Sequence, residues 1–542
     1  MYGGEWTLGS LLAARADAEP DRVIVRFEDT SVTYGGLDER ASRVANALRG
    51  LGLEPGDRVA IMLGNRAEFL GLWFGLARAG IVEVPLNTGV RGDMLVHMLN
   101  TTGSRLLVID AQWLERIERI APLLETLERV VVVGDGGLET VDCLPHGALL
   151  EAPASRPAPV TAPRDASVIL FTSGTTGPSK GAVLSHRANV RLAKGVCDLM
   201  LYDEAEVLFN MFPLFHVNAR YTSVLPAMLL DRGRCVLHDR FSASRFWGIC
   251  RDEGVTAFNF MGALVMMLFK QPERDDDADN PVRRAYGAPA PVAVLERFER
   301  RFGVELIEVY GSTELGACLE NRPGRRRIGS CGVPSPHFDV EIHDEHDDPV
   351  PPGVEGEIVV RPREPHVMVE EYFGAPEATV AAFRNLWFHT GDRGKTDEDG
   401  WFYYVDRLKD AIRRRGENIS SWEVEQVIND HDAVAESAAV GVPSELTEEE
   451  VLVAVVLRDG VELPPETLLD FCQERLPSFA VPRYVRFVAE LPKNHAQRIQ
   501  KPTLRAEGVT ADTWDREAFG YVVDEPRASP FQVPGAVPVT GT

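Results

Sequence analysis

One short segment of the chain has the residue types needed to bind a chain of phosphates. An apolar, strand-like run, Val168–Phe171, leads into hydroxyl side chains and glycines with a single lysine: Thr172, Ser173, Gly174, Thr175, Thr176, Gly177, Lys180 and Gly181. Glycine lets backbone N–H groups turn towards an anion, hydroxyls add donors, and lysine adds a compact positive charge. These residues favour a polyphosphate-binding loop, and a polar surface hairpin is the alternative.

The overall composition is that of a soluble protein with more than one domain. At 542 residues the chain is too long for one ordinary hydrophobic core. Its formal net charge of -25 argues against non-specific binding to nucleic acid or to anionic membranes. The seven cysteines are scattered without a CxxC pair, which favours a reduced, cytoplasmic setting. The start, Met1–Trp6, lacks a signal-peptide pattern, and no apolar run is long enough to predict a membrane span.

Strands and helices alternate along the first part of the chain. The predicted elements are a helix from Leu37 to Gly50, a strand over 58–63, a helix over 67–78, a strand over 81–86, a strand over 106–110, a helix over 112–128 and a strand over 130–133. This alternation predicts an α/β fold with a parallel sheet and helical crossovers. A connector rich in proline and alanine, 152–164, then leads to the lysine segment.

Five segments together resemble the adenylate-forming (ANL) superfamily, which includes acyl-CoA ligases, peptide-synthetase adenylation domains and luciferases. They are Thr172–Gly181, Gly287–Pro289, Tyr310–Glu314, His389–Asp392 and Asp406–Asp410, and their order and spacing match from about residue 8 to residue 505. The resemblance implies a large N-terminal domain, 1–406, of two helix-flanked sheets plus a distorted β-barrel. It also implies a hinge over 407–409, including Lys409, and a small, mobile α+β cap domain over 410–542 with a loosely structured tail after about 525. Within the cap, Trp422–Ile428 should be a helix and Ser437–Pro443 a strand.

The same resemblance implies a nucleotide site and a reaction in two steps. A carboxylate attacks the α-phosphate of ATP to give an acyl-adenylate and pyrophosphate, and a thiol then displaces AMP. Thr313 would bind the α-phosphate, Glu314 would hold Mg²⁺, and His216 would gate the acyl pocket. The implied nucleotide-binding residues are Thr172, Ser173, Gly174, Thr175, Thr176, Gly177, Lys180, Gly287, Ala288, Pro289, Tyr310, Gly311, Asp392 and Arg407. For Asp392 and Arg407, a surface ion pair is the alternative.

The residues after the hinge resemble the acyl-CoA ligase branch, and carnitine-CoA ligase-like enzymes in particular. In that branch a glycine, here Gly416, lets the pantetheine arm of CoA pass close to the backbone. Arg414, Arg415 and Glu417 complete the implied CoA site, and any of the three consecutive arginines Arg413–Arg415 could meet CoA phosphates through charge-assisted hydrogen bonds. A basic, solvated turn is the alternative interpretation of these arginines. A homodimer is expected from the superfamily alone.

The resemblance also implies which residues surround the acyl group. They are Val217, Tyr221, Phe260, Met261, Gly262, Gly311 and Gly316. Phe260 and Met261 favour an apolar carboxylic acid, and the absence of arginine and lysine from 258–263 argues against a diacid.

One position departs from the superfamily. Its C-terminal motif normally reads proline-lysine-threonine, two variable residues, then glycine-lysine, whereas here Gln497 and Arg498 occupy the last two positions. The lysine acts as a point charge during adenylation, and arginine is wider and planar. We therefore hypothesise that adenylation is impaired or lost and that a separate enzyme supplies the acyl-adenylate, which this protein transfers to CoA. The alternatives are a complete ATP-dependent acyl-CoA ligase in which Arg498 suffices, and a silent protein that binds nucleotide or acyl-AMP.

Overall fold

The computed structural model of the protein describes residues 6–172, 178–288, 290, 292–407, 411–445, 448–458, 460–492 and 499–523. Several predicted site residues lie outside this part of the chain, namely Ser173, Gly174, Thr175, Thr176, Gly177, Pro289, Lys409 and Arg498. For Arg407 the backbone alone is described.

The helices and strands alternate along the chain in the following order. The helices are α1 Leu8–Ala18, α2 Tyr34–Gly50, α3 Ala67–Ala79, α4 Gly92–Thr102, α5 Leu114–Ile120, α6 His146–Leu149, α7 His186–Met200, α8 Val217–Ala219, α9 Leu225–Leu229, α10 Phe246–Glu253, α11 Gly262–Phe269, α12 Val292–Phe302, α13 Pro376–Ala382, α14 Ser421–Asn429, α15 Pro465–Gln473 and α16 Lys501–Glu507. The strands are β1 Val23–Phe27, β2 Thr30–Thr33, β3 Arg58–Met62, β4 Val82–Pro85, β5 Leu106–Asp110, β6 Arg129–Val133, β7 Asp142–Pro145, β8 Ala166–Thr172, β9 Lys180–Ser185, β10 Val207–Asn210, β11 Arg234–Leu237, β12 Ala257–Phe260, β13 Arg284–Gly287, β14 Glu305–Ser312, β15 Gly316–Glu320, β16 Val333–Pro334, β17 Phe338–His343, β18 Gly356–Pro362, β19 Phe383–Arg384, β20 Trp387–Thr396, β21 Phe402–Arg407, β22 Ala411–Arg414, β23 Glu417–Ser420, β24 Val434–Pro443, β25 Glu449–Leu457, β26 Tyr484–Phe487 and β27 Trp514–Asp515. Short 3₁₀ helices at Ala111–Trp113 and Ala121–Leu123 flank α5, and a π-helical turn at Arg220–Val224 joins α8 to α9.

The first sheet has seven strands in the order β7-β6-β5-β3-β4-β8-β9, and β3 pairs in parallel with β4 and β5 as predicted. Because side chains alternate along a strand, β3 is buried on both faces. Val59 and Ile61 pack in one apolar cluster with α2 and α3, whereas Ala60 and Met62 pack in a second cluster with α4 and α5. The predicted helix-flanked sheet is confirmed.

A second sheet of nine strands follows the order β16-β15-β14-β13-β12-β10-β11-β1-β2. Within this order, the neighbouring strands β14, β13, β12, β10 and β11 are parallel to one another. Helix α3 lies in the core that this sheet shares with the first, and every residue from Phe69 to Ala79 is buried. A helix that is apolar all round must be enclosed on all sides, which explains its central position.

A third, antiparallel sheet forms the half-barrel that completes the large α/β region. Its order is β17-β18-β20-β19, and β21 also pairs with β20. The C-terminal part has separate apolar clusters around the sheet β24-β25-β26-β27 and the hairpin β22-β23. The predicted helix and strand in this part correspond to α14 and β24. A large α/β domain with a smaller α+β domain is therefore confirmed, while the exact domain limits stay a prediction.

One predicted helix was too long. The segment 112–128 contains α5, which ends at Ile120, and a 3₁₀ turn that includes Pro122. Proline has no N–H for the helical hydrogen bond and its ring crowds the preceding turn, so the helix does not continue. In the described residues, no helix has the length and apolar character required to cross a lipid bilayer.

Candidate active site

A cavity of about 640 Å³ lies between the large domain and the C-terminal hairpin. Its wall includes Thr172, Lys180 and Glu314 from the large domain and Gly416 and Glu417 from the hairpin. A volume of this size is typical of a small-molecule site. The cavity therefore brings together motifs that are more than 200 residues apart in the sequence.

On one side of the cavity, a carboxylate and a lysine face the same space. Thr172 and Lys180 are cross-strand partners at the ends of β8 and β9. The hydroxyls of Tyr372 and Thr172 donate to Glu314 Oε1, at 2.9 and 3.3 Å. Lys180 Nζ lies 5.1 Å from the centre of the Tyr372 ring. Burial raises the pKa of Tyr372 far above its ordinary value, so this hydroxyl stays protonated and holds Glu314 in place.

Two of the recognised motifs meet at a buried hydrogen bond. The hydroxyl of Tyr310, on β14, donates to Asp392 Oδ2, on β20, at 2.7 Å. Asp392 is also the cross-strand partner of Arg407. Asp392 is only 7% exposed, so it does not belong to a surface ion pair. The tyrosine hydroxyl fixes the carboxylate at the cavity wall, where it can accept hydrogen bonds from a ligand.

Two glycines of the site are required by close backbone contacts. A Cβ at Gly287 would lie 2.0 Å from the carbonyl oxygen of Phe260, and one at Gly311 would lie 1.8 Å from that of Gly316. No other residue type could occupy these positions without separating the paired strands. Gly287, Ala288, Gly311 and the half-buried Thr313 all line the cavity.

Most of the predicted acyl-pocket residues line the same cavity. Those that do are Val217, Tyr221, Phe260, Met261, Gly311 and Gly316. Gly262 begins α11 and is not part of the wall, so its assignment to the pocket stays a prediction. The sequence-based prediction missed Leu192, Phe212, Phe215, Asn218, Thr222 and Tyr286, which also line the cavity.

The C-terminal hairpin turns one face into the cavity. His216 Nε2 lies 3.2 Å from Glu417 Oε1, and Asn87 Nδ2 donates to Glu417 Oε2 at 3.3 Å. Gly416 has a φ of +87°, and a Cβ there would lie 2.5 Å from Met261 Sδ. The hairpin backbone therefore approaches the acyl pocket as closely as a glycine permits.

Two of the three arginines of the hairpin do not have the environment that was predicted. Arg414 is 2% exposed, its Nε lies 2.5 Å from Glu450 Oε2, and it donates to the carbonyl of Phe479. Arg415 lies 3.6 Å from Glu450 and, like Arg414, is not part of the cavity wall. Arg413 does line the cavity. Successive residues of a strand point to opposite faces, so the expectation that Arg414 binds a CoA phosphate is corrected.

Two half-buried glutamates near the cavity were not predicted. Glu423, on α14, accepts a hydrogen bond from the backbone N–H of Ser179 at 2.7 Å, and burial raises its pKa to about 7. Glu308 accepts one from the N–H of Ala290 at 3.0 Å, and burial raises its pKa to about 7 as well. Glu308 lies two residues before Tyr310 on β14. Because side chains two residues apart on a strand lie on the same face, this spacing could have indicated that Glu308 is near the site.

Comparison with known proteins identifies the family. A family model described as "AMP-binding enzyme" matches residues 12–372, and one described as "AMP-binding enzyme C-terminal domain" matches residues 423–498. The chain belongs to the AMP-binding enzyme family. The predicted resemblance to adenylate-forming enzymes of the acyl-CoA ligase branch is thereby confirmed.

Relatives of this AMP-binding enzyme are similar along almost their whole length. A crotonobetaine/carnitine–CoA ligase of Salmonella paratyphi A is 33% identical over 505 residues, which cover 90% of this chain and 97% of the relative. The structure of a double mutant of o-succinylbenzoate CoA synthetase from Bacillus subtilis has a TM-score of 0.81 at 25% identity, and the match covers 93% of this chain and 99% of that structure. The structure of an amide bond synthetase from Marinactinospora thermotolerans has a TM-score of 0.79 at 26% identity, and the match covers 93% of this chain and 99% of that structure. The prediction of an acid–thiol ligase is confirmed at the level of the family.

Proposed function

We propose that the protein is a complete ATP-dependent acyl-CoA ligase, which converts an acid, ATP and CoA into an acyl-CoA, AMP and pyrophosphate. The observation that carries this proposal is the shared cavity, whose wall contains both the nucleotide motifs and the hairpin residues Gly416 and Glu417. Full-length similarity to a carnitine–CoA ligase supports it. The hypothesis that adenylation is lost has no support beyond Gln497 and Arg498, so the alternative of a complete ligase is favoured and no separate adenylating enzyme is needed.

In the first step, a carboxylate oxygen bonds to the α-phosphorus of ATP as the bond to pyrophosphate breaks. Lys180 and Thr313 lie on the cavity wall where they can stabilise negative charge on the phosphates. Glu314 fits the role of a Mg²⁺ ligand, because a buried carboxylate beside phosphate oxygens is the donor set that this cation prefers. When bound, Mg²⁺ would neutralise phosphate charge. The hydroxyls of Tyr372 and Thr172 keep the carboxylate directed to that place.

In the second step, the sulfur of CoA bonds to the acyl carbon as AMP leaves. We assign entry of the thiol to the space between His216 and the Gly416 backbone. Glu417 orients the imidazole through the 3.2 Å contact at Nε2. Arg413, which lines the cavity beside it, is the arginine best placed to meet a CoA phosphate. This replaces the role first given to Arg414.

Separate assays of the two steps test this proposal. We expect ATP–pyrophosphate exchange with members of a panel of carboxylic acids, and CoA-thioester formation both from ATP with acid and from synthetic acyl-AMP. Replacing Arg498 by alanine should lower exchange by about 10²–10³-fold and leave thioester formation from acyl-AMP unchanged, since this position acts during adenylation only. Thioester formation from acyl-AMP, without ATP–pyrophosphate exchange for any acid, would contradict the proposal and support the hypothesis of lost adenylation.

A further inference from the structure

Three asparagine side chains form a continuous chain from the backbone to the acyl pocket. Asn210 Nδ2 donates to the carbonyl of Phe212 at 2.8 Å, and the N–H of Phe212 donates to Asn210 Oδ1 at 3.2 Å. Asn259 Nδ2 donates to Asn210 Oδ1 at 3.3 Å and to Asn218 Oδ1 at 2.6 Å. Asn210 and Asn259 are buried, whereas Asn218 is half-buried and lines the cavity.

The backbone determines the direction of every hydrogen bond in this chain. An N–H can only donate and a carbonyl can only accept, so the two bonds to Phe212 determine which end of the Asn210 amide is oxygen. Asn210 therefore offers an acceptor, which obliges Asn259 to use its NH₂ group. Asn259 in turn offers a donor, which obliges Asn218 to accept with Oδ1. The NH₂ group of Asn218 is left for another partner.

Neighbouring hydroxyls agree with this direction. Thr222 donates to Asn218 Oδ1 at 3.2 Å, and Ser223 donates to Asn259 Oδ1 at 3.4 Å. Within the described part of the chain, Asn218 Nδ2 has no acceptor. A donor held at a cavity wall in this way is satisfied when a ligand brings an acceptor to it.

The surrounding charges indicate that this acceptor is neutral. Arg220, next but one in the sequence, is fully buried and forms a two-point ion pair with Glu83 at 2.7 and 2.5 Å. Its charge is therefore neutralised inside the protein. The hydroxyl of Tyr221 is also engaged, because it donates to Asn189 Oδ1 at 2.8 Å. A second carboxylate in this part of the pocket would meet an amide but no cation among these residues.

We propose that the acyl group carries a neutral oxygen acceptor, as in an oxo, ether or hydroxy acid, and that Asn218 Nδ2 donates a hydrogen bond to it. This inference rests on the proposed acyl-CoA ligase function, and it replaces the purely apolar acid expected from Phe260 and Met261 by an acid with one neutral polar acceptor. The apolar lining residues of the pocket, such as Val217 and Phe260, are available to contact the rest of the acyl group.

Binding of paired non-reactive acyl-adenylates tests the inference without relying on turnover. The probes are acyl-sulfamoyl adenosines of equal chain length, which carry either a methylene or a single ketone oxygen at successive carbons. We expect one ketone position to bind about tenfold more tightly than its methylene counterpart by calorimetry, since one satisfied hydrogen bond has this value. Asn218→Asp keeps an oxygen for Asn259 but presents a second oxygen to the cavity. It should remove or reverse the ketone preference.

Val217→Ala is the matched control, because it alters the neighbouring pocket wall without changing the amide. This variant can change the affinity for the ketone probe and for the methylene probe, but it should leave the ratio of the two affinities unaltered. A wild-type ratio near one at every carbon, or a ratio that survives Asn218→Asp, would overturn the inference. Failure of the proposed function is distinct, since it would show as normal binding of the probes with no acyl-CoA formed from ATP, acid and CoA.

Discussion

The contact between Glu423 and the backbone of Ser179 should make docking of the C-terminal domain depend on pH. Burial raises the pKa of Glu423 from its ordinary value of 4.5 to about 7, although the 2.7 Å hydrogen bond from Ser179 opposes the rise. The docked state therefore binds a proton more tightly than a state in which Glu423 is solvated. Its contribution to docking is fully present below pH 4.5 and is lost as the pH rises through 7.

The rise in pKa sets the magnitude at about 3 kcal/mol, because each pH unit corresponds to 1.36 kcal/mol. Glu423→Gln keeps a carbonyl oxygen for the Ser179 N–H but cannot ionise. The variant should therefore dock as the wild type does at low pH and more firmly above pH 7, by up to about 10²-fold. His97 Nε2 lies 2.9 Å from the carbonyl oxygen of Ser179, and this contact is common to both proteins.

Hydrogen exchange at the Ser179 amide measures this docking directly. Because solvent pH alters intrinsic exchange equally in both proteins, the ratio of wild-type to variant rates isolates the effect of Glu423. We expect the ratio to be about one below pH 4.5, to rise between pH 4.5 and pH 7, and to level off above pH 7, because undocked Glu423 ionises near pH 4.5 and docked Glu423 near pH 7. Glu462→Gln, a change at an exposed position of the same domain, is the control and should give a constant ratio. A constant ratio for Glu423→Gln, or faster exchange in that variant at pH 8, would refute the reasoning.

Two further substitutions test the close approach of Gly416 to Met261 and the buried ion pair between Arg414 and Glu450. Gly416→Ala should slow acyl-CoA formation from acyl-AMP about tenfold more than Gly460→Ala, because both positions have a positive φ but only Gly416 faces Met261; equal rates would contradict this. Arg414→Met should lower the urea-derived free energy of unfolding by about 3 kcal/mol, since Glu450 is left buried with weaker partners. The double variant Arg414→Met/Glu450→Leu should recover most of that loss, and no recovery would argue against a paired buried charge.

Patterns within short segments were enough to predict the family, the α/β class and many of the elements. Alternation of strands and helices predicted a parallel sheet, and the structure shows which strands pair in it, among them β3 with β4 and β5. Gly287 and Gly311 were recognised as parts of two motifs, whereas the close approach of strands that requires glycine at both positions is seen only in the structure. The order of the five motifs then indicated an adenylate-forming enzyme without any knowledge of packing.

Which side chains face the cavity was decided by the tertiary structure. The three consecutive arginines had the same apparent role in the sequence, yet β22 directs Arg413 to the cavity and Arg414 into the domain core. That difference depends on which face of the hairpin is covered by the sheet beneath it, and spacing along the chain does not specify this.

Contacts between distant segments likewise came from the fold alone. Glu417 meets His216 from a different domain, and Glu423 meets Ser179 across the same boundary. The direction of the Asn210–Asn259–Asn218 chain arises where three separate elements pack together. Each residue type was visible in the sequence, but a hydrogen bond joins atoms that are neighbours in space, and packing between elements determines which atoms those are.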